Sequence, residues 1–188
     1  MSKPIKAIEK AFLALTNKNI YEAEQIIANE YPFQPFERYT RNYTTNQKMA
    51  QFKKDGFIDR YSGERLINPG VLKVLSYYLP DAFPYQKNWK MSECHLGYWE
   101  LCPTIDHIVP ISMGGKDNPD NWATTSMLNN SIKSNWSLEQ MRWSLFDAGD
   151  FNDWDGLTKQ FVSFVESNPE LLQDNYIKAY YKASLKLL

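Results

Sequence analysis

Residues 103–136 constrain the fold of this chain more than any other segment, because they combine two strand patterns with the start of a helix. Residues 104–111 alternate and are rich in β-branched side chains, which predicts a strand. Pro110 has no N–H group and confines that strand to an edge or a bulge. Residues 121–125 are a candidate return strand, and Ser126 can cap the helix that follows. We therefore expect a strand, a loop, a second strand and a helix.

The polar residues of this segment are the types that phosphodiester hydrolysis requires. Histidine is the residue type whose ordinary charge change lies near neutral pH, and His107 is the candidate general base. The side-chain oxygens of Asp106 and Asn130 are hard ligands suited to Mg²⁺ or Mn²⁺. Lys133, on the same helix face as Asn130, would place a positive charge beside a substrate phosphate.

The adjacency of Asp106 and His107 raises a geometric problem. Successive side chains on a regular strand point to opposite faces, so both reach one phosphate only if the strand is twisted or bulged. Asn121 is then most useful as a structural clamp, because its amide can bind loop backbone and hold the strand in that conformation.

Taken in this order and at this spacing, these motifs resemble the ββα-metal motif of HNH endonucleases. The resemblance is clearest over residues 106–134 and weaker back to residues 60–64. It implies a general base, two metal ligands and the middle asparagine of the motif, which are His107, Asp106 with Asn130, and Asn121. Asn130 stands where the family often has its last histidine.

Structural zinc is not expected in this chain. Many HNH proteins carry two Cys-x-x-Cys pairs, one before the Asp-His pair and one ahead of the last ligand. This chain has residues 61–63 and 126–129 at those places, without cysteine. We therefore expect apolar packing to hold the ββα unit together.

The two cysteines, Cys94 and Cys102, are too few for a disulfide framework and are expected to be buried thiols. A zinc site built from Cys94, His95, Cys102 and His107 is an open alternative. Its spacing fits no paired-ligand pattern, and it would use the residue proposed as the base.

Four arginines are candidates for nucleic-acid contact. Arg38 and Arg41 alternate with tyrosines, a pattern that suits phosphate contacts and base stacking, although the same tyrosines could pack on the core. Arg60 and Arg65 lie where the resemblance places material near the active unit. Surface salt bridges to neighbouring acidic residues are the alternative for that second pair.

Charge is distributed unevenly along a chain whose formal net charge is only −1. Residues 1–58 contain nine Lys/Arg and six Asp/Glu, a net charge of +3, whereas residues 144–175 contain one Lys, five Asp and two Glu, a net charge of −6. We expect a basic surface in the first half to meet DNA and the acidic C-terminal helices to face solvent or a protein partner.

The remainder of the chain of 188 residues predicts a mostly helical α+β protein. Hydrophobic residues at 43% and aromatic residues at 15% indicate a globular domain. Three regions are expected to form one compact domain: an N-terminal helical region at 1–56, the HNH core at 57–136 and a C-terminal helical region at 137–188. Two long helices are predicted at 156–167 and 169–187.

No apolar run approaches the roughly 18 residues needed to span a membrane, and the N-terminus lacks the apolar core of a signal peptide, so a cytoplasmic protein without membrane contact is expected. The predicted activity is metal-dependent cleavage of DNA. A homodimer, or two sequential nicks, would be needed to cut both strands. The alternatives are an HNH-type binding module without catalysis and a nuclease or toxin that acts on RNA.

Overall fold

The computed structural model describes residues 3–33 and 42–188, and it is an α+β protein. The described residues form nine α-helices and one antiparallel sheet of two strands. The chain divides into two compact units, Met1–Tyr39 and Thr40–Leu188. Arg38 and Arg41 lie outside the described residues, so their predicted contact with nucleic acid stays a prediction.

The first unit is a helical hairpin of α1 (Lys3–Thr16) and α2 (Ile20–Glu30). Asn19 caps α2 as its sequence predicts, because its side chain accepts a hydrogen bond from the backbone N–H of Glu22 at 3.1 Å. The buried residues between the helices are alanines: Ala7, Ala11, Ala14 and Ala23. The larger apolar side chains of α1 remain exposed.

The second unit contains the other seven helices, whose bounds are α3 (Thr45–Lys54), α4 (Pro69–Tyr78), α5 (Gly97–Glu100), α6 (Met127–Lys133), α7 (Leu138–Met141), α8 (Thr158–Ser167) and α9 (Asn175–Leu185). Thr44 and Gln47 form a capping box at the start of α3. Asn68 caps α4 ahead of Pro69, which confirms the helix start predicted from that dipeptide.

The C-terminal helices are shorter than predicted. The Ser137 capping box is present, but α7 ends after one turn because Arg142 adopts a left-handed conformation with φ of 57°. The predicted helix over 169–187 is divided into a 3-10 helix, Pro169–Gln173, and α9. Asp174 interrupts it by capping α9, since its carboxylate accepts from the N–H groups of Tyr176 and Ile177.

The sheet pairs β1 (Pro103–His107) with β2 (Trp122–Ser126) in antiparallel register, with Asp106 opposite Ala123 and His107 opposite Trp122. β1 ends at His107 rather than extending to residue 111. Pro110 cannot donate to a strand partner, and a 3-10 helix, Ile111–Met113, follows it. Ser126 then caps α6, as predicted.

The main core of the second unit lies under the sheet. It gathers buried side chains from α3, α4, α8, α9 and β1, including Phe52, Phe161, Ile177 and Ile105. A smaller cluster contains Cys94 and Cys102, which are both free buried thiols, as expected. Burial raises the pKa of Cys102 to about 12.

Residues 58–65 form a short loop that is closed by a single bridge between Ile58 and Arg65. Its turn depends on Gly63, which has a φ of 78°.

Among residues 3–33 and 42–188, no helix has the length and apolar character required to cross a membrane.

Candidate functional site

The two adjacent polar residues of β1 have different surroundings, as the alternation of a strand requires. Both are buried, with 5% of Asp106 and 1% of His107 exposed. Asp106 contacts α6, whereas the ring of His107 contacts the loop between the strands. The pairing of β1 with β2 runs from Pro103 to His107 in unbroken register, so β1 has no bulge that would bring both side chains to one face.

Asp106 forms a buried ion pair with Lys133. Lys133 Nζ lies 2.7 Å from Asp106 Oδ2 and donates to the backbone carbonyl of His107 at 2.8 Å. The hydroxyl of Tyr61 donates to the same carboxylate oxygen at 2.7 Å. Burial first, and then the neighbouring Asp106 carboxylate, raise the pKa of Tyr61, so this hydroxyl keeps its proton and remains a donor.

The structure gives Lys133 no exposed surface. Its ammonium ties the last turn of α6 to β1, and it reaches a substrate phosphate only if the Asp106 pair opens. Direct phosphate contact by Lys133 therefore stays a prediction, whereas its ion pair with Asp106 is part of the fold.

His107 is bound by Asp117, a residue of the loop between the strands. The two side chains meet at 2.9 Å between His107 Nε2 and Asp117 Oδ1. The same carboxylate oxygen accepts from Tyr43 Oη at 2.7 Å and from Trp122 Nε1 at 2.9 Å. Tyr43 Oη also lies 3.3 Å from His107 Nε2.

These contacts determine which nitrogen of His107 can take a proton. Burial acts to raise the pKa of Asp117, but hydrogen bonds from Tyr43, His107 and Trp122 outweigh it, and this pKa lies below its usual value. An ionised carboxylate only accepts hydrogen bonds, so Nε2 of His107 carries the proton that faces it. In a neutral ring the lone pair is then on Nδ1.

Asn121 binds the loop backbone in the manner expected of a clamp. Its Oδ1 accepts from the N–H of Val109 at 2.8 Å, while its Nδ2 donates to the carbonyls of Val109 at 2.8 Å and Lys116 at 2.9 Å. Gly115 is required beside it, because a Cβ atom there would lie 1.9 Å from the Val109 carbonyl oxygen. Three hydrogen bonds thus hold the segment that follows His107.

Asn130 lies one helical turn before Lys133 and faces the same strand. Its Nδ2 is 3.4 Å from Thr104 Oγ1, and Thr104 shares a strand face with Asp106. Within the described part of the chain, Asn130 Oδ1 and Asp106 Oδ1 accept no hydrogen bond from another side chain or backbone group. Two hard oxygen atoms are therefore available on one side of the strand.

Buried carboxylates join the sheet and α6 to the preceding segment, and Ile105 of β1 adds the apolar packing expected from the sequence. Asp59 accepts from the Thr125 hydroxyl at 2.9 Å, the Ser126 N–H at 2.8 Å and Asn129 Nδ2 at 2.9 Å. Asp55 accepts from the Thr124 N–H at 2.8 Å. These bonds connect segments that are far apart in the sequence.

Arg60 and Arg65 each have a partner within the protein. Arg60 forms an ion pair with Asp55 at 2.8 Å and donates to the Phe146 carbonyl. Arg65 stacks over the ring of Trp154, with 5.0 Å between the guanidinium carbon and the ring centroid. Their predicted role in binding nucleic acid stays a prediction.

The alternative zinc cluster does not form among the described residues, where no group of three or more His, Cys, Asp or Glu side chains could hold a metal ion. His95 instead accepts from the N–H of Gly97 at 3.0 Å and stacks on Phe83 at 4.2 Å. His107 contacts Asp117.

Asp106 on β1 and Asn130 on α6 are the residues that could hold a small divalent cation. Mg²⁺ binds through one or two protein oxygens and keeps several waters, which two oxygen atoms from Asp106 and Asn130 can satisfy. The Lys133 ammonium on the other Asp106 oxygen offsets part of the carboxylate charge. We therefore expect weak binding that improves when a substrate phosphate supplies further oxygens.

Sequence reasoning missed Asp117, Tyr43 and Tyr61 as members of the site. Asp117 lies in the Asp/Asn-rich loop ahead of Asn121, where loop composition alone gave it no role. Tyr43 and Tyr61 are 64 and 45 positions from the residues that they bind. The one signal that could have identified Asp117 was its place in an acidic loop close in sequence to the candidate base.

No protein-family model, curated protein or solved structure matches this chain.

Proposed function

We propose that this protein is a metal-dependent endonuclease of the HNH type that hydrolyses DNA phosphodiester bonds. The observation that carries the proposal is the strand, loop, strand and helix of residues 103–133, in which β1 bears the buried Asp106 and His107 and α6 bears Asn130 and Lys133. The proposal requires β1 to twist at its end so that both of its polar side chains reach one phosphate. Asn121 holds the loop that joins the strands.

His107 is the general base in this proposal. Asp117 binds Nε2 and orients the ring, and the imidazole takes the proton from the attacking water. Asp117 is a positioning residue, because it acts on the histidine rather than on the substrate. Tyr43 and Trp122 in turn orient the carboxylate through two hydrogen bonds.

Asp106 and Asn130 would hold the divalent cation. A bound Mg²⁺ or Mn²⁺ would supply stabilisation of negative charge on the phosphate and the departing oxygen. Lys133 and Tyr61 keep the Asp106 side chain in place through its other oxygen. This arrangement leaves the other carboxylate oxygen, Oδ1, as the one that would hold a cation.

The test is cleavage of supercoiled plasmid by purified protein in Mg²⁺, Mn²⁺ or EDTA, with a single-stranded RNA substrate in parallel. We expect metal-dependent nicking by the wild type and its loss in His107→Ala. The matched control is His95→Ala, since the chain has only these two histidines and His95 packs on Phe83 outside the site. Cleavage that survives His107→Ala refutes the assignment of the base.

Two other outcomes would replace the proposal. DNA retardation on a gel without cleavage under any metal indicates a binding module that lacks catalysis. Cleavage restricted to the RNA substrate indicates a ribonuclease built on the same residues. Both alternatives use the same protein preparation, so one experiment separates them.

Asp117→Asn tests the positioning role. Loss of the ionised carboxylate lets the histidine adopt the other tautomer, and we expect kcat to fall by roughly 10- to 100-fold with KM unchanged. The pH dependence of kcat should change as well, because the base then titrates without its charged partner. An unchanged pH profile would show that Asp117 only packs the loop.

A further inference from the structure

The N-terminal hairpin exposes several large apolar side chains on α1 and just after α2. Ile5, Ile8, Phe12 and Leu15 recur at helical spacing on α1, and between 46% and 66% of each is exposed. Phe33, just after α2, is 88% exposed. Contiguous apolar surface of this kind marks a site of protein interaction.

The interior of the hairpin is too small to stabilise it alone. Its buried cluster is Ala11, Ala14 and Ala23, with Ile26 and Ile27 partly buried against them. Units of about 40 residues or fewer usually need an additional source of stability, such as oligomerisation. The hairpin therefore requires a partner for the apolar stripe that α1 leaves uncovered.

A groove beside this stripe has the complementary shape. It is an open apolar groove of about 750 Å³, and both helices contribute to it, through Ala11, Leu15, Ile20, Ala23 and Ile27. The α1 stripe forms a ridge next to the groove. A surface with a ridge and a groove side by side is self-complementary when two copies meet about a two-fold axis.

Charge supports the same arrangement. α1 carries three lysines and one glutamate, whereas α2 carries three glutamates and no basic residue. Lys10 and Glu30 already form an ion pair at 2.8 Å within the hairpin. Lys6 lies near the open end of the hairpin, and Glu22, whose carboxylate also accepts from Asn19 Nδ2 at 2.8 Å, lies near the turn. An antiparallel meeting of two hairpins places Lys6 of each beside Glu22 of the other.

We propose that the hairpin is a homodimerisation element. The hairpins of two copies pack in opposite directions into a four-helix arrangement, with the ridge of each, centred on Phe12, in the groove of the other. The partner is a second copy of this chain. The proposal does not rest on the nuclease function, although a dimer would bring two such sites to one DNA duplex.

The test is the mass of the full chain by light scattering over a dilution series. We expect twice the 22.0 kDa of the single chain, with dissociation on dilution. Phe12→Glu should raise the dissociation constant by roughly 100-fold or more, because it buries an unpaired charge. Met91→Glu is the matched control and should leave the mass unchanged, since Met91 is 61% exposed against 66% for Phe12 but lies outside the hairpin.

A charge exchange tests the direction of packing without altering the apolar surface. Lys6→Glu should weaken the dimer roughly tenfold, and adding Glu22→Lys should restore it. A wild type that stays at 22.0 kDa at every concentration overturns the proposal, as does a dimer that survives Phe12→Glu. A dimer that Phe12→Glu weakens, but whose Lys6→Glu variant is not restored by Glu22→Lys, overturns the antiparallel arrangement. Plasmid cleavage does not enter these measurements, so the two proposals fail separately.

Discussion

Replacement of Lys133 by methionine is the sharpest test of how the site is built. Methionine fills the space of the aliphatic part of lysine but removes the ammonium. The Asp106 carboxylate then loses the ammonium that lies 2.7 Å from it, and the His107 carbonyl loses its donor at 2.8 Å. Lys133 is fully buried and Asp106 is 5% exposed, so water does not readily replace what is lost.

Breaking a buried ion pair on one side costs roughly 3–5 kcal/mol, because it leaves an uncompensated charge. A domain of this size shifts its Tm by roughly 2–4 °C per kcal/mol, so the expected fall in Tm is about 6–20 °C. Urea unfolding followed by circular dichroism measures the free energy directly. Lys182→Met, at an exposed position on α9, is the matched control and should change the stability by less than about 0.5 kcal/mol.

A double-mutant cycle identifies the source of the effect. In an Asp106→Asn background no carboxylate is left uncompensated, and Lys133→Met should then cost only about 1 kcal/mol. Tyr61 still has an oxygen acceptor in the asparagine. A cost below about 1 kcal/mol for Lys133→Met in the wild type, or additive costs in the double mutant, would refute the buried ion pair as a stabilising element.

Three further predictions concern the turns, the buried carboxylates and pH. Gly156→Ala should cost more than about 2 kcal/mol in urea unfolding, because φ is +67° and the added Cβ would lie 2.4 Å from the ring of Phe57. Gly114→Ala, with φ of +86° and no atom within 4 Å, should cost only about 1 kcal/mol, and equal losses would contradict the packing argument. Asp59→Ala should cost about 2–4 kcal/mol by the same assay, since it leaves buried donors of β2 and α6 without an acceptor. Because the folded-state pKa of Asp117 is lowered, its contribution is present above the unfolded-state pKa and is lost as pH falls through the folded-state value. Asp117→Asn should therefore flatten the loss of stability on acidification, and an unchanged acid limb would contradict this.

Local patterns predicted the helix starts and the order of elements in the site segment well. Asn19, Asn68 and Ser126 each accept the N-cap hydrogen bond that their sequence context indicates. Such a cap depends on two or three neighbouring residues, and a turn depends on the φ that one residue can adopt. Caps and turns can therefore be predicted from the sequence, because no distant residue contributes to them.

Apolar periodicity was less informative about what a helix contacts. The stripe through Ile5, Ile8 and Phe12 correctly indicated a helix, yet the hairpin buries the alanines on the adjoining face. A periodic pattern gives the period of the backbone and the side that will be apolar. The pattern does not identify the surface that covers that side.

The sequence by itself determined the strand, loop, strand and helix around His107, since period, caps and glycine turns are local properties. Only the tertiary structure decided the partners of the polar groups. Asp117 binds His107, and Lys133 binds Asp106. Asp59 binds both β2 and α6, from which it is 66 or more positions away in the sequence. The physical reason is that a buried polar group must find a partner wherever folding places one, and that choice depends on the packing of the whole unit.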